Sequence, residues 1–296
     1  MKVAIYGQFY HENSEVYLQE LFQLLKEYNI DTYVEKNFFT SIQNNHKLRL
    51  PDYNYPTFIK LDNSFDLFFG IGGDGTILKS VSYVKDLNIP IVGINTGRLG
   101  FLASIHKKEI KAAIQAIINK EYNISQRSLL SVATSPQNKR LSNIGFALNE
   151  IAISRKNTTS MITVETWLND NYLSAYWADG LIISTPTGST GYSLSCGGPI
   201  IEPATNAFAI TPIAPHNLNA RPLIIPDNTE IKLKVISRED KFLASLDAKT
   251  TSLNTNTTIS IKKANFTIGL VLLHEDSFIK TLRKKLLWGE DKRNKQ

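Results

Sequence analysis

An α/β domain followed by a mainly β domain is what the sequence predicts, and three observations carry that expectation. The first third alternates short apolar runs with helical stretches, the rhythm of a mostly parallel sheet with helices on its faces. From about residue 125 to 273 the texture changes to short runs rich in β-branched residues and separated by turn residues. The length of 296 residues suits two domains, and 42% hydrophobic with 20% charged residues is the balance of a folded globular chain. The domains expected are 1–105 with about 275–296, carrying α/β structure, and 106–274, rich in β structure.

Each element follows from a local pattern. KVAIYG (2–7) is an apolar run ending in glycine, and SEVYLQELFQLLKEY then sets Leu18, Leu21, Phe22 and Leu25 on one helical face. TYVE (32–35), FDLFFGI (65–71) and IPIVGIN (89–95) read as further strands. TILKSVSYVKDL, between the last two, reads as a helix ending before Asn88 and Pro90. KKEIKAAIQAIINK (107–120) is helical, with Ile110, Ala113, Ile114 and Ile117 on one face. The β-rich part contains LLSVATS, FALNEIAIS, LIIST, EIKLKVIS, TISIKK and FTIGLVLL, and WLNDNYL reads as a hairpin with a polar turn. SFIKTLRKKLLW (277–288) groups Phe278, Leu282 and Leu286 on a last helix, expected to pack back on the first domain.

Composition narrows the function classes. The longest apolar run falls short of the 18 residues a membrane span needs, and MKVAIYGQFY is too short in apolar residues for a secretory signal, so a cytoplasmic location is expected. The single Cys196 forms no internal disulfide and reads as an inert thiol. Net charge is +6, but the basic residues are dispersed except at 280–285 and 291–296, which argues against nucleic acid and suits anionic small molecules. None of the five histidines shows metal-ligand spacing.

GIGGDGT (70–76) follows an apolar strand and opens a helix. Such a layout lets backbone N–H groups at a helix N-terminus meet a phosphate, and glycine lets the backbone approach it closely. Gly72, Gly73, Gly75 and Thr76 would form the phosphate loop, with Asp74 at the carboxyl edge of the sheet. The competing reading is a tight turn with Asp74 capping the helix. The pattern is neither a Walker loop nor the dinucleotide fingerprint.

A second loop, TPTGSTGYSLSCGGPI (185–200), is dense in hydroxyls and glycines and carries the aromatic Tyr192. Short donors and free amides at that density suit a polyol or a phosphate, with one ring for a base. Two glycine-rich loops in different domains suggest a site between them. Asn149 and Glu150 interrupt an apolar strand-like run, where a buried amide and carboxylate are costly unless paired or turned to a cleft. They could instead point to solvent, and a shared ligand would need a bulge or the strand's end.

GGDGT (72–76), INTGRLGFLA (94–103), NE (149–150), ADG (178–180) and TPTGSTGYSLSCGGPI (185–200) together resemble the motif set of bacterial NAD kinases, over about residues 65–288. GGDGT alone is shared with lipid kinases and phosphofructokinases; the TPTGST block with NE is more specific. The resemblance implies a Rossmann-like N-terminal α/β domain, a β-rich C-terminal domain, ATP and NAD as substrates, Mg²⁺ or another divalent metal, and a homodimer or homotetramer. It implies Asp74 as catalytic base, with Asp74, Gly75, Lys79, Asn149, Glu150, Asp179, Thr187, Gly188, Ser189, Thr190, Gly191 and Tyr192 holding NAD; it names no metal ligand. Departures from the pattern are Gly191 where Ala is usual, Asp247-Ala248-Lys249 in place of a DGQ-like triplet, and Trp177 before Ala178-Asp179. The alternatives are a lipid kinase sharing GGDGT and a non-catalytic sensor of NAD or NADP.

Overall fold

The computed structural model describes residues 1–8, 14–52, 54–97, 100–103, 105–157, 160–217, 219–273 and 277–288. His11, His274, two residues of the INTGRLGFLA motif and the basic tail 291–296 lie outside them.

In chain order the elements begin with β1 (Lys2–Gly7), α1 (Ser14–Glu27), β2 (Asp31–Glu35), α2 (Lys36–Gln43), β3 (Thr57–Phe58), β4 (Leu67–Ile71) and α3 (Asp74–Val84). They continue with β5 (Ile91–Asn95), β6 (Ile105–His106), α4 (Ile110–Ile118), β7 (Tyr122–Arg127), β8 (Leu130–Ser135), α5 (Lys139–Ile144), β9 (Phe146–Ala147) and β10 (Glu150–Arg155). Then come β11 (Ile162–Leu168), β12 (Asn171–Ala178), β13 (Gly180–Ser184), α6 (Tyr192–Ser195), β14 (Ala207–Ile213) and β15 (Leu223–Pro226). The last are β16 (Ile231–Ile236), β17 (Lys241–Leu246), β18 (Lys249–Asn254), β19 (Thr258–Lys263), β20 (Ile268–Leu273) and α7 (Phe278–Leu286).

These elements form two compact units, Met1–Gln126 with Ile268–Gln296, and Arg127–Thr267. The expected division at 105/106 and 274/275 is thus corrected. α4 and β7 stay with the first unit, and so does β20, which reads like its antiparallel neighbours but pairs in parallel with β5 at Leu270↔Ile91. An apolar β-branched strand fits either sheet, so which open edge it joins is a tertiary choice.

The first unit holds a sheet ordered β3-β2-β1-β4-β5-β20-β7, with β6 on β5. The pairs β1–β2, β1–β4 and β4–β5 are parallel, and every residue of β4 and β5 is buried, as both-face coverage demands. Leu18, Leu21, Phe22 and Leu25 are buried on α1, and Ile110, Ala113, Ile114 and Ile117 on α4. Because the chain runs outward from β1 to β3 and returns to β4, its direction reverses between β1 and β4, where open α/β sheets bind ligands. α2 buries Phe38 and Ile42, one helical turn apart, and Glu35 starts it by accepting the Phe38 N–H at 2.8 Å.

The second unit holds two antiparallel six-stranded sheets, β15-β14-β13-β10-β17-β18 and β12-β11-β16-β19-β8-β9. Ile151, Ile183, Phe208 and Phe242 from one and Val164, Leu233 and Ile259 from the other enter one apolar cluster. The expected hairpin joins β11 to β12 through Asn169 and Asp170, both at positive φ (48° and 66°), which asparagine and aspartate tolerate.

Candidate active site

α3 begins on the GGDGT turn. Gly73 is its N-cap, with no side-chain cap, so Asp74 does not take the capping role that the turn reading assigned it. Asp74 is the first helical residue, and its carboxylate is held elsewhere: Oδ2 accepts from the Phe101 N–H at 2.8 Å, Oδ1 from Leu102 and Ala103 at 3.0 and 3.2 Å. A Cβ on Gly100 would stand 1.8 Å from Asp74 Oδ1, so only glycine lets that segment lie against the carboxylate. Phe101 in turn packs on Phe278 of α7, with ring centroids 6.4 Å apart, and Lys285 Nζ sits 5.6 Å over its ring. The last helix therefore does return to the first unit, where it backs the loop that grips Asp74.

Gly72 has φ 152°, and a Cβ there would meet Thr76 Oγ1 at 2.2 Å. Thr76 Oγ1 itself is buried without a hydrogen-bond partner among the described residues. The Thr76 N–H turns back to the Gly73 carbonyl at 2.9 Å and the Gly72 N–H donates to Ile94 O at 2.9 Å, while the amides ahead of Thr76 in the first turn of α3 precede any i−4 carbonyl of the helix and lie at its positive end, an anion-binding geometry. Gly75 and Lys79 are exposed. Lys79 lies about 140° around the helix from Asp74, so α3 does not put the two on one face.

In the second unit, the strand's end is what brings Asn149 and Glu150 together: β10 starts at Glu150, and Asn149 occupies the bend before it. Asp247 holds that bend. Its Oδ1 accepts from the Asn149 and Glu150 N–H groups at 2.8 and 3.1 Å and its Oδ2 from the Leu148 N–H at 2.9 Å. Asp247 sits at positive φ (49°) in the two-residue turn between β17 and β18, a backbone cost offset by three charge-assisted bonds. Burial pushes its carboxyl above the usual aspartate range while those amides pull it down.

Glu150 is pushed up to about 7, first by burial and then by the Asp247 charge, against a lowering bond from the Tyr192 N–H. Its Oε2 and Asn149 Oδ1 are buried with no partner among the described residues. Two neighbouring orphan acceptors call for a donor such as a hydroxyl or an amine.

The TGST loop is built against this pair. Gly188 packs so closely on Asn149 that a Cβ would stand 2.0 Å from its carbonyl oxygen, and the Gly188 N–H donates to Thr185 Oγ1 at 3.0 Å. Thr185 ties the loop to Leu148 O and Asn149 O. Thr187 opens the 3₁₀ turn Thr187–Thr190, which Thr190 closes by donating to Thr187 O. The Ser189 hydroxyl is buried, donating to Pro186 O and accepting from the Ile201 N–H, so it is committed inside the loop. Gly191 leaves open the space beside Glu150: a Cβ there would lie 3.1 Å from Oε2. Tyr192 is exposed, and its hydroxyl is raised by burial, by Cys196, and by the charges of Asp179 and Glu150. Burial likewise raises the Cys196 thiol, consistent with low reactivity.

Asp179 stands apart from Asn149 and Glu150. The β10–β13 register pairs Glu150 with Ser184 and Ser154 with Gly180, placing Asp179 about 16 Å along the strands. There it forms a half-buried ion pair with Arg155 at 2.9 Å. Trp177 is exposed and lies against His216, with ring centroids 4.4 Å apart.

Both units match known families. The ATP-NAD kinase N-terminal domain matches residues 3–122 and the ATP-NAD kinase C-terminal domain residues 148–273. NAD kinases of Christiangramia forsetii and Flavobacterium johnsoniae are 58% and 50% identical to the chain over 294 residues, covering 99% of it and all of each relative. The chain belongs to the NAD kinase family. A yeast NADH kinase solved with NADH superposes with a TM-score of 0.84 at 25% identity, over 97% of this chain and 88% of that one. An Archaeoglobus fulgidus NAD kinase solved with ATP shares the fold, with a TM-score of 0.73 at 23% identity over 97% of this chain and 99% of that one. The α/β and β-rich halves expected from the sequence are thus those of the NAD kinase family, and the lipid-kinase alternative finds no support.

Reading the sequence noted Asp247 only as part of a triplet and Phe101 to Ala103 only as part of INTGRLGFLA, and missed that Asp247 holds the 148–150 bend and that the three amides hold Asp74. Aspartate is an ordinary residue in a two-residue hairpin turn, so nothing local marked the role of Asp247. Among the described residues, no three His, Cys, Asp or Glu side chains gather as a metal cluster, and no helix is long and apolar enough to cross a membrane.

Proposed function

We propose that the chain transfers the γ-phosphoryl group of ATP, or of another nucleoside triphosphate, to the 2′-hydroxyl of the adenosine ribose of NAD, giving NADP. The observation that carries this reading is the Asp74 carboxylate, fixed by three backbone amides at a glycine turn in a chain of this family. A secondary hydroxyl is a poor nucleophile, and a positioned carboxylate orients it and takes its proton as the new P–O bond forms and the bond to ADP breaks. Of the phosphate loop Gly72, Gly73, Gly75 and Thr76, the N–H groups of Gly73 and Gly75 would donate to phosphate oxygens, while Gly72 and Thr76, whose N–H groups already donate to Ile94 O and Gly73 O, would shape the turn, with Lys79 as a further cation.

NAD would be held by Asn149 and Glu150, whose orphan acceptors suit its hydroxyl and amine donors. Thr187, Gly188, Ser189, Thr190 and Gly191 would shape that pocket, Tyr192 would offer its exposed ring, and Asp179 would receive a donor at the other end of the strand pair. Mg²⁺ or another divalent ion would come with the triphosphate, its charge met by the phosphates and, among the described residues, by Asp74 as the acidic side chain at the loop. Its contribution when bound is neutralisation of phosphate charge. The cytoplasm and a homodimer or homotetramer complete the proposal.

The experiment is to incubate purified protein with NAD, ATP and Mg²⁺ and to read NADP with an NADP-specific dehydrogenase. Formation of NADP is expected. NAD binding without NADP would replace the proposal with a sensor.

A further inference from the structure

The first unit holds a cavity of about 350 Å³ at the carboxyl ends of β1 and β2, beside the glycine turn but formed by other residues. That volume is at the lower end of the range for small-molecule sites, about 300–1,000 Å³. Its lining includes the polar side chains of Glu35, Asn37 and Ser41. It also includes the rings of Tyr6, Phe38 and Tyr83, with Tyr6 and Tyr83 centroids 5.2 Å apart. A carboxylate, an amide and a hydroxyl in one cavity with aromatic side chains are the recognition chemistry of a sugar joined to a heterocyclic base.

Glu35 is only 3% exposed. It caps α2, but a buried glutamate is an unusual choice where serine, aspartate or asparagine is preferred and suffices. Phe38 N–H and Asn37 Nδ2 donate to its two oxygens at 2.8 and 3.2 Å, and the Tyr83 hydroxyl bonds to it as well. A carboxylate has about four acceptor positions, so this one keeps capacity for one more donor. It also ends the second strand of a doubly wound sheet, the position from which an acidic residue reads ribose hydroxyls in such folds.

None of the described residues lining the cavity is cationic, so it does not suit the phosphates of a nucleotide. The anion-binding amides are next door. Gly7 pairs with Ile71, and the Gln8 N–H at the cavity rim donates to Ile71 O at 3.1 Å, one strand spacing, about 4.8 Å, from the strand that feeds Gly72.

We infer that this cavity takes the nucleoside, ribose and base, of the phosphoryl donor. The inference rests on the proposed kinase reading, in which the second unit's orphan acceptors serve NAD and the first unit's glycine turn serves the donor's phosphates.

Ser41→Trp fills the cavity from an exposed helix position, and Asn37→Leu removes its amide. For each variant with unchanged thermal melting, KM for ATP and KM for NAD are measured, together with ADP affinity by calorimetry in the absence of NAD. The expected result is an increase of about tenfold in KM for ATP and in the ADP dissociation constant, with KM for NAD within twofold. Unchanged ATP and ADP parameters in both variants overturn the inference, and so does a rise confined to NAD. If the wild type makes no NADP, the kinase reading fails, while weakened ADP binding in the variants still identifies the cavity as a nucleoside site.

Discussion

Asp74 and Glu150 are both carboxylates in the candidate machinery, and the structure treats them in opposite ways. Asp74 receives three N–H bonds from one loop, so both its oxygens have partners. Glu150 is buried, is pushed up to about 7 by that burial and by Asp247, and keeps Oε2 without a partner. The difference teaches a division of labour. A group that must hold one orientation through a reaction is satisfied by the protein, whereas a group that recognises a ligand is left short of a donor that the ligand brings.

The most severe break in this contrast is Asp74→Asn. Its amide is nearly the same shape but removes the base, and about 10²–10⁴-fold in kcat is expected to go, as for general bases elsewhere. Gly100→Ala comes next: its methyl would collide with Asp74 Oδ1, shifting the carboxylate while leaving the chemistry of every other group alone. A displacement near 1 Å costs about 10²-fold, so kcat should fall by about that factor with little change in KM for NAD.

Glu150→Gln should raise KM for NAD about tenfold, the loss of one charge-assisted hydrogen bond. The same variant tests the titration. In the wild type, KM for NAD should fall as pH rises from 6 to 8 and the carboxylate ionises; in Glu150→Gln it should stay level. Stability should move the other way. A carboxyl whose folded value, about 7, lies above its ordinary 4.5 favours the fold when protonated, and that advantage is lost as pH rises through 7. Ligand-free Glu150→Gln should therefore melt higher than the wild type at pH 8. Gly191→Ala is the mildest change, placing a methyl 3.1 Å from Glu150 Oε2; steady-state parameters should move by less than about threefold.

What was legible in the sequence follows the range of the interactions involved. The strand, glycine turn and helix around GGDGT are local, and so is the Asn-Asp hairpin; both were readable from neighbouring residues. The cradle of Asp74 was not, because its donors are backbone amides 27 to 29 positions away and carry no side-chain signature. Asp247 grips the 148–150 bend from 97 to 99 positions away and was equally invisible as a partner. Asn149 and Glu150 stood out because polar residues in an apolar run need a reason. α2 was missed because it is only eight residues long, too short for Phe38 and Ile42 to establish a helical period, and because its start depends on the Glu35 cap. The β14 strand Ala207–Ile213, the short β15 and α5 were also missed, and β20 was assigned to the wrong unit, since pairing partners are chosen by the assembled sheet.

The division of labour between the two carboxylates is tested most directly by measuring kcat and the NAD dissociation constant on Asp74→Asn and Glu150→Gln side by side. Asp74→Asn should lose turnover by at least about 10²-fold while binding NAD within a few-fold of the wild type, and Glu150→Gln should lose affinity while keeping most of its turnover at saturating NAD. Near-normal turnover in Asp74→Asn, or undiminished NAD affinity in Glu150→Gln, would contradict it.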